Sequence, residues 1–189
     1  MNVIKTKLSG VLIFEPKVFH DSRGYFFESW NKISYNQLGL KTDFVQDNVS
    51  FSYKNILRGL HIQNPNSQGK LVSVLKGSVY DVAVDLRLGS PTYGKWLGEI
   101  LSQENQRQLY IPPGFAHGFL VLSDECLFNY KCTDYYNPLT EYTLLWNDPD
   151  LGISWPIQNT PPIVSEKDNK GYKFKNFPCD RLLSYNTIL

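Results

Sequence analysis

Short strand-like segments separated by turn residues recur along most of this sequence. We count about ten such segments at intervals of roughly 8–12 residues, with Gly, Pro, Asn and Ser concentrated between them. Aromatic residues make up 14% of the chain, and aromatic side chains favour strands over helices. This spacing predicts an all-β fold, a sandwich or barrel of antiparallel strands.

The predicted elements follow a simple order. The strand-like segments are Val3 to Pro16 with a break near Ser9 and Gly10, Tyr25 to Trp30, Phe44 to Phe51, Ile56 to Gln63, Lys70 to Leu86 with a break at Gly77, Trp96 to Leu101, Gln108 to Ile111, Gly118 to Leu122, Glu125 to Cys132 and Glu141 to Trp146. One short helix is predicted from Asn31 to Leu38, because Asn31 can cap it and Gly39 can end it. From Asn147 onward we expect a loop-rich C-terminal tail with one helical turn near Glu166.

Global properties of the chain exclude several classes of protein. With 189 residues it is long enough for one sizeable core, and we expect a single domain over residues 1–189. The net charge of +1 gives no overall attraction to nucleic acid or to an anionic membrane. The N-terminal segment lacks a signal-peptide pattern, and no apolar run approaches the roughly 20 residues of a membrane span. The three cysteines are interpreted as reduced thiols, so we expect a cytoplasmic protein.

The segment from Ile56 to Arg87 combines strand-forming residues with many ionisable side chains. Arg58 and His61 lie in its first apolar run, and Lys70 begins the second. A core rarely gathers such groups without a ligand, so the segment predicts the wall of a pocket. Arg58 and His61 are three residues apart and face opposite sides of a regular strand. A β-bulge at Gly59 would bring them to the same side.

His61 is a candidate general base, because an unperturbed imidazole titrates near neutral pH. The alternative is a hydrogen-bonded histidine of the core. A metal is not expected, because the chain has only three histidines. A metal site built on two histidines one residue apart would need its second histidine at the position that Gln63 occupies. Lys70 is either part of the site or an ordinary lysine at the end of a strand.

Asp81 and Asp85 share one face of their predicted strand, and two interpretations stay open. They are either a carboxylate pair for chemistry or structural partners of Arg58 or Arg87. Structural pairing is at least as good an explanation, because buried carboxylates in proteins are usually paired with a cation.

Further candidates lie in three other segments. Arg23, in a polar turn, suits a phosphate or carboxylate but is equally compatible with a surface ion pair. His117 follows the rigid Pro-Pro-Gly turn of the segment Ile111 to Phe119, which either aims it into a site or makes it incidental to a sharp corner. Tyrosines that can donate a proton or stack on a base or sugar are Tyr130, Tyr135 and Tyr136, although most tyrosines do neither.

Nine motifs in order give the chain a specific resemblance. They are DSRGYFFE at Asp21 to Glu28, FVQDN at Phe44 to Asn48, LRGLH at Leu57 to His61, QGKLV at Gln68 to Val72, DVAVDLR at Asp81 to Arg87, SPTYG at Ser90 to Gly94, IPPGFAHGF at Ile111 to Phe119, WNDP at Trp146 to Pro149 and SEKD at Ser165 to Asp168. With them the chain resembles the dTDP-4-dehydrorhamnose 3,5-epimerase family from about Ile4 to Asp168. The resemblance implies a cupin-type jelly-roll or β-sandwich barrel with a few short helices.

The resemblance also implies roles for individual residues. His61 matches the family's base, Asp168 the carboxylate that orients it, Tyr130 the proton donor and Lys70 the lysine that stabilises an enolate. The residues that match nucleotide-sugar contacts are Arg23, Glu28, Gln46, Asp47, Asn48, Arg58, Lys70, His117, Tyr136, Glu141 and Lys167.

The implied reaction is deprotonation and reprotonation next to the C4 ketone of a dTDP-linked 4-keto sugar, in dTDP-L-rhamnose biosynthesis. It uses no metal and no cofactor. The implied assembly is a homodimer in which the N-terminal segment, including Arg23, serves the partner's site. Two alternatives stay open: an epimerase that inverts only C3 or C5 of a related sugar, and a cupin that binds a sugar nucleotide without catalysis.

Overall fold

Two six-stranded β-sheets face each other in the computed structural model, which describes residues 1–185. The strands are β1 (Asn2–Lys5), β2 (Leu12–Glu15), β3 (Phe19–Asp21), β4 (Gly24–Phe26), β5 (Gln46–Tyr53), β6 (Ile56–Gln63), β7 (Lys70–Lys76), β8 (Ser78–Asp85), β9 (Trp96–Ser102), β10 (Gln108–Ile111), β11 (Phe115–Val121), β12 (Glu125–Cys132), β13 (Glu141–Thr143) and β14 (Ile163–Val164). The helices are α1 (Lys32–Gln37) and α2 (Glu166–Asn169), and 3₁₀ turns span Phe174–Asn176 and Cys179–Arg181.

The strand order identifies a β-sandwich, as the spacing of the strands predicts, and it is of the cupin type, as the resemblance implies. The first sheet has the order β1-β2-β10-β7-β12-β5, and the second has the order β13-β6-β11-β8-β9 with β14 beside β6. Neighbouring strands are antiparallel except for the short β14–β6 pair. Strands β3 and β4 form a separate hairpin. Within residues 1–185, no helix has the length and apolar character needed to span a membrane.

Apolar side chains that point to alternate faces of the strands form three apolar layers. On β8, Val79 and Ala83 belong to the core between the sheets, whereas Val82 and Val84 belong to a cluster on the outer face of the second sheet. The C-terminal tail covers that outer face. On the other side of the molecule, Tyr35 of α1 packs against the outer face of the first sheet. Both sheets are therefore covered on their outer faces by apolar clusters.

Most predicted elements are confirmed, and the differences have local causes. The predicted strand Tyr25 to Trp30 is wrong beyond Phe26: the chain there leaves the β3–β4 hairpin and enters α1, where Asn31 Oδ1 accepts hydrogen bonds from the first turn. The predicted strand Glu141 to Trp146 ends at Thr143, because Leu145 pairs with the tail at Tyr172 instead. The helical turn near Glu166 is α2. The last four residues of the predicted tail, 186–189, lie outside the described residues.

Asp85 and Arg87 form an ion pair that holds the β8 turn in place. Arg87 Nη2 lies 2.7 Å from Asp85 Oδ2, and both side chains are almost fully buried. The carboxylate also accepts hydrogen bonds from Ser90 and Thr92. Burial raises the pKa of Asp85, but the hydrogen bonds from Arg87, Ser90 and Thr92 outweigh it and hold the pKa below its usual value. The interpretation of Asp85 as a structural partner of Arg87 is therefore confirmed.

We expect Asp85→Ala to lower the free energy of unfolding by about 3–5 kcal/mol, since it leaves a buried guanidinium without its counter-charge. Urea denaturation at neutral pH measures the change. The control is Glu166→Ala, which removes an exposed pair with Lys170 and should change stability little. Equal small effects of the two substitutions would contradict this account.

Candidate active site

A cavity of about 610 Å³ opens between the two sheets. Strands β5, β7 and β12 of the first sheet and β6 and β11 of the second form its walls, and the segment from Ile163 to Asp168 closes one side. It brings together most of the predicted site residues, namely Gln46, Asn48, Arg58, His61, Lys70, His117, Tyr130, Tyr136, Glu141, Lys167 and Asp168. Most of the predicted chemistry thus converges on one cavity.

A β-bulge in β6 places Arg58 and His61 in the same cavity. Arg58 pairs with Phe119 and His61 pairs with His117, so two residues of β6 stand opposite the single residue between them on β11. Gly59 lies in the bulge with a φ of +106°, and a Cβ there would come within 2.6 Å of the His117 carbonyl oxygen. The predicted bulge is present, and only glycine fits it without strain.

His61 is held by a buried carboxylate. Its Nε2 lies 2.6 Å from Asp168 Oδ1, and the Gly59 backbone N–H donates to Asp168 Oδ2 at 3.2 Å. Burial raises the pKa of Asp168, but the hydrogen bonds from His61 and Gly59 outweigh it and hold the pKa below its usual value. When Nε2–H donates to this carboxylate, the lone pair of Nδ1 is free to accept a proton.

The cap of α2 fixes the position of that carboxylate. Ser165 Oγ accepts a hydrogen bond from the Asp168 backbone N–H at 3.1 Å, which is the usual N-cap contact. Ser165 begins the SEKD motif, but the sequence motifs assigned it no role of its own. Its signal was available, because a serine three residues before an acidic residue is a helix-start pattern.

Glu141 lies on the other side of the imidazole. Its Oε1 is 3.7 Å from His61 Nδ1, and its Oε2 accepts hydrogen bonds from Lys167 and from the Tyr136 hydroxyl. Burial raises the pKa of Glu141, but its contacts with Lys167 and His61 hold the pKa below its usual value. His61 therefore lies between the carboxylates of Asp168 and Glu141.

Tyr130 and Lys70 belong to the opposite wall. Tyr130 lies on β12 and Lys70 on the neighbouring β7, with Lys70 Nζ 6.0 Å from the centre of the Tyr130 ring. Burial raises the pKa of Tyr130, so the phenol carries its proton at neutral pH. Burial also lowers the pKa of Lys70, and Cys132 and Glu141 oppose that change. The imidazole of His61 on one sheet thus faces a protonated phenol and an amine on the other.

His117 is paired with Asp81. His117 Nε2 lies 2.9 Å and 3.0 Å from the two carboxylate oxygens, and both side chains are buried. Asp81 therefore pairs with neither Arg58 nor Asp85, and the hypothesis of a carboxylate pair is wrong. Within residues 1–185, no group of three or more His, Cys, Asp or Glu side chains is arranged to hold a metal ion.

Three predicted binding residues lie outside this chain's cavity. Arg23, at the tip of the β3–β4 hairpin, is exposed and pairs with Asp21. Glu28 accepts hydrogen bonds from Asn31 and Ser34, and Asp47 pairs with Lys131. Asp47 faces outward because it alternates with two residues of β5 that line the cavity.

Comparisons with known proteins agree with this arrangement. The family model described as dTDP-4-dehydrorhamnose 3,5-epimerase matches residues 5–176. The chain is 57% identical over 176 residues to the dTDP-4-dehydrorhamnose 3,5-epimerase of Shigella flexneri, covering 92% of this chain and 96% of that protein. The corresponding protein of Methanothermobacter thermautotrophicus is 52% identical over 176 residues, covering 93% of this chain and 95% of that protein.

A solved structure is similar over nearly the whole chain. It is the crystal structure of the Legionella pneumophila dTDP-6-deoxy-D-glucose-3,5-epimerase in complex with dTDP-4-keto-L-rhamnose. The TM-score is 0.94 and the sequence identity is 50%, covering 97% of this chain and 98% of that chain. Both the sequence and the fold of this chain are therefore similar to those of one group of enzymes.

We expect Gly59→Ala to lower the free energy of unfolding by about 1–3 kcal/mol more than Gly39→Ala does. Both glycines have a positive φ. A Cβ added at Gly59 would collide with backbone atoms, whereas a Cβ added at Gly39 would have no atom of the described chain within 4 Å. Urea denaturation of the two variants measures the difference. Similar losses in the two variants would mean that the tight approach of β6 to β11 does not constrain the bulge.

Proposed function

The chain belongs to the dTDP-4-dehydrorhamnose 3,5-epimerase family, and we propose that it inverts C3 and C5 of dTDP-4-dehydro-6-deoxy-D-glucose to give dTDP-4-dehydro-L-rhamnose. The observation that carries the proposal is that two groups of ionisable side chains face each other from opposite walls of the cavity. His61 lies on one sheet, between the carboxylates of Glu141 and Asp168, and Tyr130 with Lys70 lies on the other sheet.

The chemistry of the substrate matches this arrangement. The hydrogens on C3 and C5 are both next to the C4 ketone, so removal of either gives an enolate. Return of a proton to the opposite face inverts the carbon. Such a step needs a base on one face, an acid on the other and a positive group near the developing oxyanion. The sugar's oxidation state does not change, so the reaction requires no redox cofactor.

In the mechanism that we propose, His61 removes the proton and Asp168 keeps the imidazole oriented. Tyr130 donates a proton from the other side, and Lys70 stabilises the enolate oxygen. The ionised state of Asp168 and the protonated state of Tyr130 at neutral pH support these roles. Residues of the same cavity proposed to bind the nucleotide sugar are Gln46, Asn48, Arg58, His117, Tyr136, Glu141 and Lys167.

We propose further that the protein acts as a homodimer in the cytoplasm, with residues 1–189 forming one catalytic domain. In the dimer, the β3–β4 hairpin and the segment that follows it would bring Arg23 and Glu28 to the partner's site. Apolar side chains on the hairpin support the proposal: Phe19, Tyr25 and Phe26 are each more than half exposed in the single chain. Exposed aromatic side chains of this kind are typical of protein interfaces.

We expect the wild-type chain to exchange both the C3 and C5 hydrogens of dTDP-4-dehydro-6-deoxy-D-glucose for deuterium in deuterium oxide. His61→Ala should lose exchange at both carbons, because no base remains. Tyr130→Phe should lose inverted product more than exchange, because the first proton still leaves. Proton NMR with chelator present measures both, and Tyr135→Phe, at an exposed tyrosine outside the cavity, is the matched control.

Each other outcome of this experiment has a meaning. Wild-type exchange at one carbon alone would indicate a single-centre epimerase. No wild-type exchange would indicate a different nucleotide sugar or a binding protein without catalysis. Near-normal turnover by His61→Ala would show that the base is assigned to the wrong residue.

A mixture of Arg23→Ala and His61→Ala chains tests the shared site. Each variant alone should have low activity. In a mixed dimer, one site has both defects and the other combines an intact His61 with the partner's intact Arg23. After random exchange of subunits we expect about a quarter of the wild-type activity. If the mixture is no more active than its components, Arg23 does not serve the partner's site.

A further inference from the structure

The guanidinium of Arg58 is held in the cavity by a buried serine. Arg58 Nε donates to Ser52 Oγ at 3.0 Å, and Nη2 donates to the Phe51 carbonyl oxygen at 3.4 Å. Ser52 is only 4% exposed, whereas Arg58 is exposed and lines the cavity. One neutral hydroxyl and one carbonyl thus anchor the cation and leave its charge without a carboxylate among these contacts.

The anchor leaves most of the donors of Arg58 available. A guanidinium has five N–H groups, and the two contacts use one on Nε and one on Nη2. The other three, including both on Nη1, form a planar fork of the kind that binds phosphate oxygens. A free arginine side chain loses conformational entropy on binding an anion, and an arginine that is already oriented loses less.

Ser52 is well placed to orient the Arg58 side chain, because the sheet fixes the position of the serine. It faces the cavity side of β5 and pairs with Cys126 of β12 in a register that runs unbroken along the strand. Arg58 begins the β6 bulge, and the next residue, Gly59, donates its N–H to Asp168. Arg58 and Tyr130, the proposed acid, line the same cavity, and the charge of Arg58 partly opposes the rise that burial causes in the pKa of Tyr130.

We infer that Ser52 is a positioning residue for substrate recognition: it orients Arg58 toward the diphosphate of the nucleotide sugar without touching the substrate itself. The inference rests on the proposed function, because that function supplies the anion. Ser52 is not one of the residues that line the cavity, and its side-chain contact there is the one with Arg58.

A double-mutant cycle with dTDP as the probe tests the inference. The dissociation constant of dTDP is measured by calorimetry for the wild type, Ser52→Ala, Arg58→Ala and the double variant, each checked for an unchanged thermal unfolding profile. Ser52→Ala should weaken binding about ten-fold or more, as expected for loss of a hydrogen bond to a charged group. In the Arg58→Ala background the same change should have no further effect.

Two more variants complete the design. Ser52→Thr keeps the hydroxyl and should restore most of the affinity. Ser73→Ala removes a serine from the outer face of the same sheet and should leave it unchanged. In turnover assays, Ser52→Ala should raise KM more than it lowers kcat.

The outcomes separate the inference from the proposed function. Normal binding by the wild type together with normal binding by Ser52→Ala would overturn the inference alone. An equal loss in the presence and absence of Arg58 would also overturn it, because the serine would then act on the fold and not through the arginine. A wild type that neither binds dTDP nor exchanges deuterium would overturn both.

Discussion

The carboxylate of Asp168 joins two parts of the chain that strand pairing alone would leave loosely connected. One oxygen contacts His61 and the other accepts the N–H of Gly59, so the carboxylate fixes both the imidazole and the bulge beside it. The carboxylate in turn is held by the cap of α2. Because these contacts keep it ionised despite its burial, the same interaction organises the fold locally and sets the chemistry of the imidazole.

Polar groups between the sheets follow one rule: the buried charged groups described above lie within contact distance of a partner. Asp81 pairs with His117 and Asp85 pairs with Arg87, each in a different part of the interior. An unpaired charge would be costly in such a place. Lys70 is the exception with chemical meaning. Its amine lies in the cavity near a tyrosine ring, where it can stabilise a negatively charged group that forms there, although burial lowers its pKa.

Local sequence determined much of the fold. The bounds of β6, β10 and β12 could be predicted from runs of strand-forming residues. The bulge at Gly59 could be predicted from spacing alone. Arg58 and His61 are three residues apart, so in a regular strand they would face opposite sides and could not share a cavity. The partners of buried charges could not be predicted in this way. Asp81 and His117 lie on neighbouring strands far apart in sequence, and only the register brings them together.

The roles in the cavity depended on resemblance and not on local pattern. Nothing near His61 in the sequence indicates that Asp168 is its partner, and the family motifs supplied that link. Two residues escaped both kinds of reasoning. Ser165 had a capping signal that was overlooked, whereas a serine inside a strand, such as Ser52, carries no signal until the arginine beside it is seen.

The order of the elements along the chain also affects how the site matures during synthesis. The strands that wall the cavity, from β5 to β12, all precede α2, which provides Lys167 and Asp168. A chain growing from its N-terminus on the ribosome exposes both walls before it exposes the carboxylate that orients His61. The residues that wall the cavity are therefore synthesised before the carboxylate that contacts His61, and the proposed site is complete only once α2 has been made.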